Sequence, residues 1–141
     1  EVKPGIAYSY FNGNFMKTAD IKKATAVKTG ESATITLPAN ATGDFFGVVY
    51  EGFIKIEKDG IYRFATTSDD GSCLYIGDEK VVDNDGLHGK LERSGIAALK
   101  AGLHPIKVAY VEATGAETLS VTISSEEMEK QVKPARAAVE M

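Results

Sequence analysis

Apolar and polar residues alternate along most of this chain, and short turn segments separate the alternating stretches. In the run HPIKVAYVEA, for example, Ile106, Val108 and Tyr110 share one face. A period of two residues is the pattern of a β-strand with one buried face. The turns recur at roughly the 8 to 12-residue spacing that is typical of antiparallel β folds. The pattern therefore predicts an all-β protein, either an antiparallel β-sandwich or a barrel.

The turn residues divide this pattern into individual elements. We expect a hairpin turn at Asp59–Gly60, a second at 77–79 and a third at 114–116, because Gly, Asp and Asn favour tight reversals between strands. Residues 16–27 are weakly patterned and predict a short turn of helix followed by an extended piece. The predicted strands are 6–11, 32–37, 45–57, 60–67, 74–76, 80–83, 95–99, 104–113 and 119–123.

The length of 141 residues fits one domain with its own core. We assign residues 1–123 to a β-sandwich domain and residues 124–141 to a C-terminal tail. The tail changes character: SSEEMEKQ predicts the start of a short helix, and Pro134 ends it. The tail either packs on the domain or acts as a linker.

Composition and charge exclude several classes of function. The net charge of −4 argues against nucleic acid as a partner, because binding to phosphates requires a basic face. No apolar run approaches the ~20 residues that a membrane-spanning helix needs, so we expect no membrane insertion. Cys73 is the only cysteine and is predicted to be a half-buried strand residue. The chain begins at Glu1 without a signal segment, as would a mature secreted chain or an excised domain.

The sequence contains no recognisable catalytic constellation. A retaining glycosidase needs two carboxyl groups ~5–5.5 Å apart across a cleft, and no such pair is identifiable. There is no serine nucleophile elbow and no phosphate-binding glycine loop. The domain is therefore predicted not to be an enzyme.

Two acidic turns stand out, Asp69–Asp70 and 83–86. Adjacent side chains of a strand point to opposite faces, so both aspartates reach one ion only through a turn or a cis peptide. Calcium suits such a pair because it accepts 6–8 oxygen ligands in loose geometry. Alternatively, Asp69 accepts backbone hydrogen bonds and Asp70 forms the turn with Gly71. Candidate ligand contacts in and beside the second turn are Asn84, Asp85 and His88, which otherwise form an ordinary polar turn and loop.

Three runs in order resemble one family: FGVVYEGFIKI, then DGIYRFATTSDDGSCLYIGDEKVVDN, then LKAGLHPIKVAYVEATGAETLSVTI. They are similar to the PA-fourteen domain, named after the anthrax toxin protective antigen. The resemblance implies an antiparallel β-sandwich or barrel. In the adhesin branch it also implies calcium on the Asp69–Asp70 pair through a cis peptide, with the ion contacting sugar hydroxyls. A later loop donates an asparagine to that ion in adhesins. Here residues 113–118 have none, and Glu117, Thr114 and carbonyl oxygens are the substitutes.

The phrases VVDNDGLHG and LKAGLHPIKVAY resemble copies attached to secreted glycoside hydrolases of bacteria, including hexosaminidase-type enzymes. This resemblance implies a non-catalytic carbohydrate-binding or carbohydrate-associated module of a secreted, periplasmic or cell-surface glycosidase. Its partner is then a glycan or the catalytic domain of its own parent protein. The alternative is an architectural domain that docks on its parent enzyme and orients it without a ligand of its own.

Overall fold

The computed structural model describes residues 5–37 and 43–125. Within them the chain forms nine β-strands and one 3₁₀ helix, Thr18–Lys23. The strands are β1 (Ile6–Asn12), β2 (Lys28–Ser32), β3 (Phe46–Ile56), β4 (Gly60–Asp69), β5 (Ser72–Ile76), β6 (Glu79–Asn84), β7 (Leu91–Leu99), β8 (Gly102–Glu112) and β9 (Thr118–Ser125).

The strands form two antiparallel sheets that share one core. The larger sheet has the order β2-β1-β3-β8-β5-β6 and the smaller has the order β7-β4-β9. Buried side chains of both sheets, such as Tyr50 and Val108 from the larger and Phe64 and Ile123 from the smaller, belong to one hydrophobic cluster. The sheets therefore stack face to face, which confirms the predicted all-β sandwich.

The alternating apolar residues of β3 and β8, the two longest strands, form the inner face of this strand pair. Val48 lies opposite Tyr110, and Tyr50 lies opposite Val108. None of these four side chains is exposed to solvent. Burying one large apolar side chain contributes about 1.5–3 kcal/mol, so this pair of central strands supplies much of the stability of the fold.

Two of the three predicted hairpins are wrong. β3 pairs with β1 and β8, whereas β4 pairs with β7 and β9, so the Asp59–Gly60 turn carries the chain from one sheet to the other. The Asp59 carboxylate accepts a hydrogen bond from the Ala101 N–H at 2.8 Å, which ties this crossing to the one between β7 and β8. The turn at 114–116 likewise joins different sheets. Only the hairpin of β5 and β6, with its turn at 77–79, is confirmed.

The predicted strand 32–37 is also wrong. The edge strand is β2, and the chain leaves it at Ser32. Ile35 is nevertheless buried, and the carbonyl of Thr36 accepts a hydrogen bond from the Tyr50 hydroxyl at 2.8 Å. Of the β-branched residues in this segment only Ile35 packs into the core, while Thr34 and Thr36 are exposed.

The structure describes only the first two residues of the predicted tail, 124 and 125. Ser124 and Ser125, which were placed at the beginning of a helix, complete β9. The rest of the tail lies outside the described residues, and the domain division at 123 stays a prediction. Cys73 is fully buried in β5 rather than half-buried.

The 3₁₀ helix lies within residues 16–27, where the sequence predicted a short turn of helix, and it covers the outer face of the larger sheet. Phe15, Ile21 and Val111 form a second buried cluster beneath it. A Cβ atom on Gly47 would lie 2.8 Å from the Ile21 side chain, so the Ile21 side chain would have to move to admit any larger residue. No helix among the described residues is long and apolar enough to cross a membrane.

Candidate functional site

Both aspartates of the first acidic turn lie where β4 ends. Asp69 is the last residue of the strand and pairs with Thr118 of β9. The peptide bond between Asp69 and Asp70 is cis, the geometry that the family resemblance implied. Asp69 is half-buried, and its carboxylate accepts no hydrogen bond from the described residues.

Asp70 is buried and held from two sides. Its Oδ1 accepts the His88 N–H at 3.0 Å, and its Oδ2 accepts the Ala113 N–H at 2.8 Å. These bonds connect the end of β4 to the loop after β6 and to the loop after β8. The carboxylate is therefore fixed in place, while each oxygen keeps a second lone pair for another partner.

Glu112 completes a group of three carboxylates with the two aspartates. One oxygen from each of Asp69, Asp70 and Glu112 lies within 4.8 Å of the others. The sequence analysis missed Glu112 as a site residue. A signal was present, because position 112 continues the core-facing phase of Ile106, Val108 and Tyr110, where a carboxylate is out of place.

The Glu112 carboxylate is fully buried and only half satisfied. The Tyr110 hydroxyl donates to the Asp69 carbonyl oxygen and lies within hydrogen-bond distance of Glu112 Oε1, at 3.3 Å, while Oε2 has no partner among the described residues. Burial raises the pKa of Glu112 to about 8, and the neighbouring Asp70, Asp69 and Glu117 carboxylates add to this effect. Burial and the Asp70 and Glu117 carboxylates also raise the pKa of Asp69, whereas the nearby His88 lowers it.

Comparisons with known proteins identify the family. The family model of the PA14 domain matches residues 2–135. The chain belongs to the PA14 domain family. This is the family that the sequence resembles. No match was found among curated protein sequences.

Solved structures similar to this PA14 domain include both isolated modules and part of an enzyme. A PA14 sugar-binding domain from an RTX adhesin is 17% identical, with a TM-score of 0.70 over 94% of this chain and 93% of that one. The epithelial adhesin 6 A domain from Candida glabrata, solved with Galβ1-3GlcNAc, is 15% identical, with a TM-score of 0.68 over 89% and 81%. A β-glucosidase from Kluyveromyces marxianus, solved with glucose, is 17% identical, with a TM-score of 0.64 over 85% of this chain and 15% of that one.

The second acidic turn of the PA14 domain packs directly against the first. A Cβ atom on Gly71 would lie 2.4 Å from the Gly86 carbonyl oxygen, so the two turns touch through their backbones. The polar-turn interpretation also predicts unusual backbone geometry at Asn84 and Gly86, and only Gly86 has it, with a φ of 97°. The structure thus brings the two predicted turns together at one end of the sandwich.

Asn84 and Asp85 are both engaged inside the fold. Asn84 is 2% exposed, and its amide donates to the Leu91 carbonyl at 2.9 Å. Asp85 accepts hydrogen bonds from the Thr18 N–H at 2.8 Å and the Thr18 hydroxyl at 2.9 Å. Burial raises the pKa of Asp85, but these bonds and one from the Gly86 N–H outweigh it, and the pKa lies below its usual value. Their roles as ligand contacts stay predictions.

His88 spans the loop that follows β6. Its Nδ1 lies 2.7 Å from the Gly89 carbonyl oxygen, and its Nε2 lies 2.8 Å from the Asn84 carbonyl oxygen. The ring therefore braces the loop that presents the His88 N–H to Asp70. Its role as a ligand contact also stays a prediction.

The buried Glu112 predicts a specific pH dependence for the calcium-free PA14 domain. We expect the free energy of unfolding to fall by about 2 to 4 kcal/mol as pH rises from about 4.5 to about 8. Over this range the folded state retains the Glu112 proton and the unfolded state has released it, so a rise in pH favours unfolding. Urea unfolding in EDTA at several pH values measures the slope. In Glu112→Gln the slope should be largely absent, and an equal slope in both proteins would contradict the assignment.

Proposed function

We propose that this PA14 domain is a non-catalytic carbohydrate-binding module that holds a glycan through calcium at the Asp69–Asp70 end of the sandwich. The observation that carries the proposal is the convergence of Asp69, Asp70 and Glu112, with Glu112 Oε2 buried and unpartnered. A buried carboxylate oxygen without a partner is costly, and either a proton or a bound cation offsets that cost.

The donor set fits calcium. All three groups offer hard carboxylate oxygens, and calcium takes 6–8 such ligands in flexible geometry. Asp69, Asp70 and Glu112 would hold the ion, and Glu112 replaces the asparagine that the resemblance implies for adhesins. The bound ion supplies open coordination positions for vicinal sugar hydroxyls. The His88 and Ala113 N–H groups would hold the Asp70 carboxylate in the same orientation with and without bound calcium.

The similar structures support a glycan as the ligand and a glycosidase as the parent. Two of them are described as sugar-binding or were solved with a disaccharide. The β-glucosidase is much longer than this domain, and the match covers only 15% of it, which is the arrangement expected for an accessory module. We therefore propose that the domain belongs to a secreted, periplasmic or cell-surface glycoside hydrolase, of the bacterial kind that the sequence resembles.

Glycan binding in calcium and in chelator tests this function. We expect a glycan array to give signals in 1 mM Ca²⁺ that disappear in EDTA, and calorimetry to give a Kd of about 10 μM to 1 mM for the strongest glycan, because a shallow site contacts few sugar atoms. Restoring Ca²⁺ after EDTA should restore binding. Equal glycan binding in Ca²⁺ and in EDTA would overturn the role of calcium. If no glycan binds in either condition, the proposal that the domain is a carbohydrate-binding module fails.

The architectural alternative has one observation in its favour. Ile61 and Ile96 are 57% and 62% exposed and lie diagonally on the outer face of the smaller sheet, since Ile61 pairs with Ala98 and Ile96 with Arg63. Exposed aliphatic neighbours of this kind are typical of contact surfaces. If the domain only docks on its parent, the double variant Ile61→Ser/Ile96→Ser should alter the parent enzyme's activity or stability while Asp69→Asn has no effect on either.

A further inference from the structure

Glu112 belongs to two groups of carboxylates rather than one. The first, with Asp69 and Asp70, is the proposed calcium site. The second joins Glu112 to Asp44 and Glu117, and within it the three ligand oxygens also lie within 4.8 Å of one another. Five carboxylates from four segments of the chain therefore meet around one buried side chain.

The topology explains why Asp44 and Glu117 reach Glu112. Phe45, which follows Asp44, donates its N–H to the Ala113 carbonyl at 2.9 Å, and Phe46 pairs with Glu112 across β3 and β8. Glu117 precedes Thr118, which pairs with Asp69. The loop before β3 and the loop between β8 and β9 thus flank the end of β8 from two sides.

Glu112, whose Oε2 atom is buried and unpartnered, belongs to this second group as well as to the first. The side chain is 0% exposed, and the Tyr110 hydroxyl lies within hydrogen-bond distance of Oε1 only. The ion pairs that the structure shows among the described residues, Lys55–Glu57 and Lys80–Asp83, involve none of the five carboxylates. One calcium ion balances two of five negative charges, and like charges held this close disfavour each other strongly.

We propose a second divalent-cation site formed by Asp44, Glu112 and Glu117, with Glu112 shared between the two ions. A carboxylate has two oxygens and about four lone pairs, so one Glu112 side chain can serve both ions. Bridged metal pairs in proteins lie about 3.5–4 Å apart. The inference rests on the proposed function for the first ion. The second ion ties the loop before β3 to the loop that closes over the glycan end.

Calcium stoichiometry tests the second site directly. The domain is stripped with EDTA, titrated with CaCl₂, and measured by calorimetry and by native mass spectrometry. We expect two calcium ions per chain. The double variant Asp44→Asn/Glu117→Gln should bind one, because it removes two of the three charged ligands but leaves Asp69, Asp70 and Glu112. Asp44 is exposed and Glu117 is half-buried, so both substitutions are compatible with folding. Circular dichroism of each variant checks this.

A matched control variant distinguishes the loss of the second site from a general loss of negative charge. Asp78→Asn removes one exposed carboxylate from the turn between β5 and β6, at the opposite end of that hairpin, and should keep two ions. A parent domain that binds one ion, lost in Asp69→Asn and unchanged in the double variant, would overturn this second site and leave the proposed function intact. Two ions in the double variant would also overturn it. No calcium bound by the parent would overturn both proposals.

Discussion

Replacing Gly95 with alanine is expected to destabilise the domain by roughly 3 kcal/mol or more, as severe overpacking does. A Cβ atom on this residue would lie 1.8 Å from the Val81 carbonyl oxygen, which is a backbone atom and has no rotamer to change. Gly95 is in β7 of the smaller sheet, and Val81 is in the edge strand β6 of the larger sheet. The two sheets approach closely here, so one strand must shift to admit a methyl group. Thermal unfolding should show a fall in Tm of about 10 °C.

Gly89→Ala is the matched control for that substitution. Gly89 is exposed, lies in the loop between β6 and β7, and has no atom within 4 Å of its would-be Cβ. A surface change of this kind is expected to alter stability by no more than about 0.5 kcal/mol. Equal Tm values for Gly95→Ala and Gly89→Ala would show that the sheets do not meet at Val81.

Replacing Asp69 with asparagine is expected to weaken calcium binding by on the order of 100-fold or more, because it removes one charged ligand of a three-carboxylate group. Asp69 is a better test than Asp70, since its carboxylate accepts no hydrogen bond from the described residues, whereas Asp70 accepts two. Asparagine keeps the shape of the side chain, so the change is mainly one of charge. Calorimetry with Ca²⁺ measures the affinity, and glycan binding in Ca²⁺ should fall in parallel.

The stability of the same variant provides an independent check. Burial, together with repulsion from Asp70 and Glu117, raises the pKa of Asp69, so its negative charge is unfavourable in the calcium-free fold. Asp69→Asn should therefore be at least as stable as the parent in EDTA while binding less calcium, a pattern typical of residues kept for function. Asp78→Asn should match the parent in both measurements. Marked destabilisation of Asp69→Asn in EDTA would indicate a structural role instead.

The sequence predicted two of the three carboxylates of the candidate site. It selected Asp69 and Asp70 because two adjacent acids at a strand end are unusual, and the structure brings their carboxylates together. It did not select Glu112, although that residue falls in phase with the core positions of β8. The period-two pattern reports the face on which a side chain lies. Whether that face meets apolar side chains or a cluster of acids depends on the loops before β3 and after β8.

The sequence by itself determined most of the strands and their buried faces, because alternation and turn residues act within a few positions of the chain. Its resemblance to known sequences gave the family. Only the tertiary structure decided which sheet each strand joins. An Asp–Gly turn reverses the chain equally well into the neighbouring strand or into the opposite sheet, and the Asp59–Gly60 turn does the latter. The same long-range pairing buries Glu112 beside Asp69 and Asp70, since residues more than 40 positions apart meet there only after both sheets have assembled.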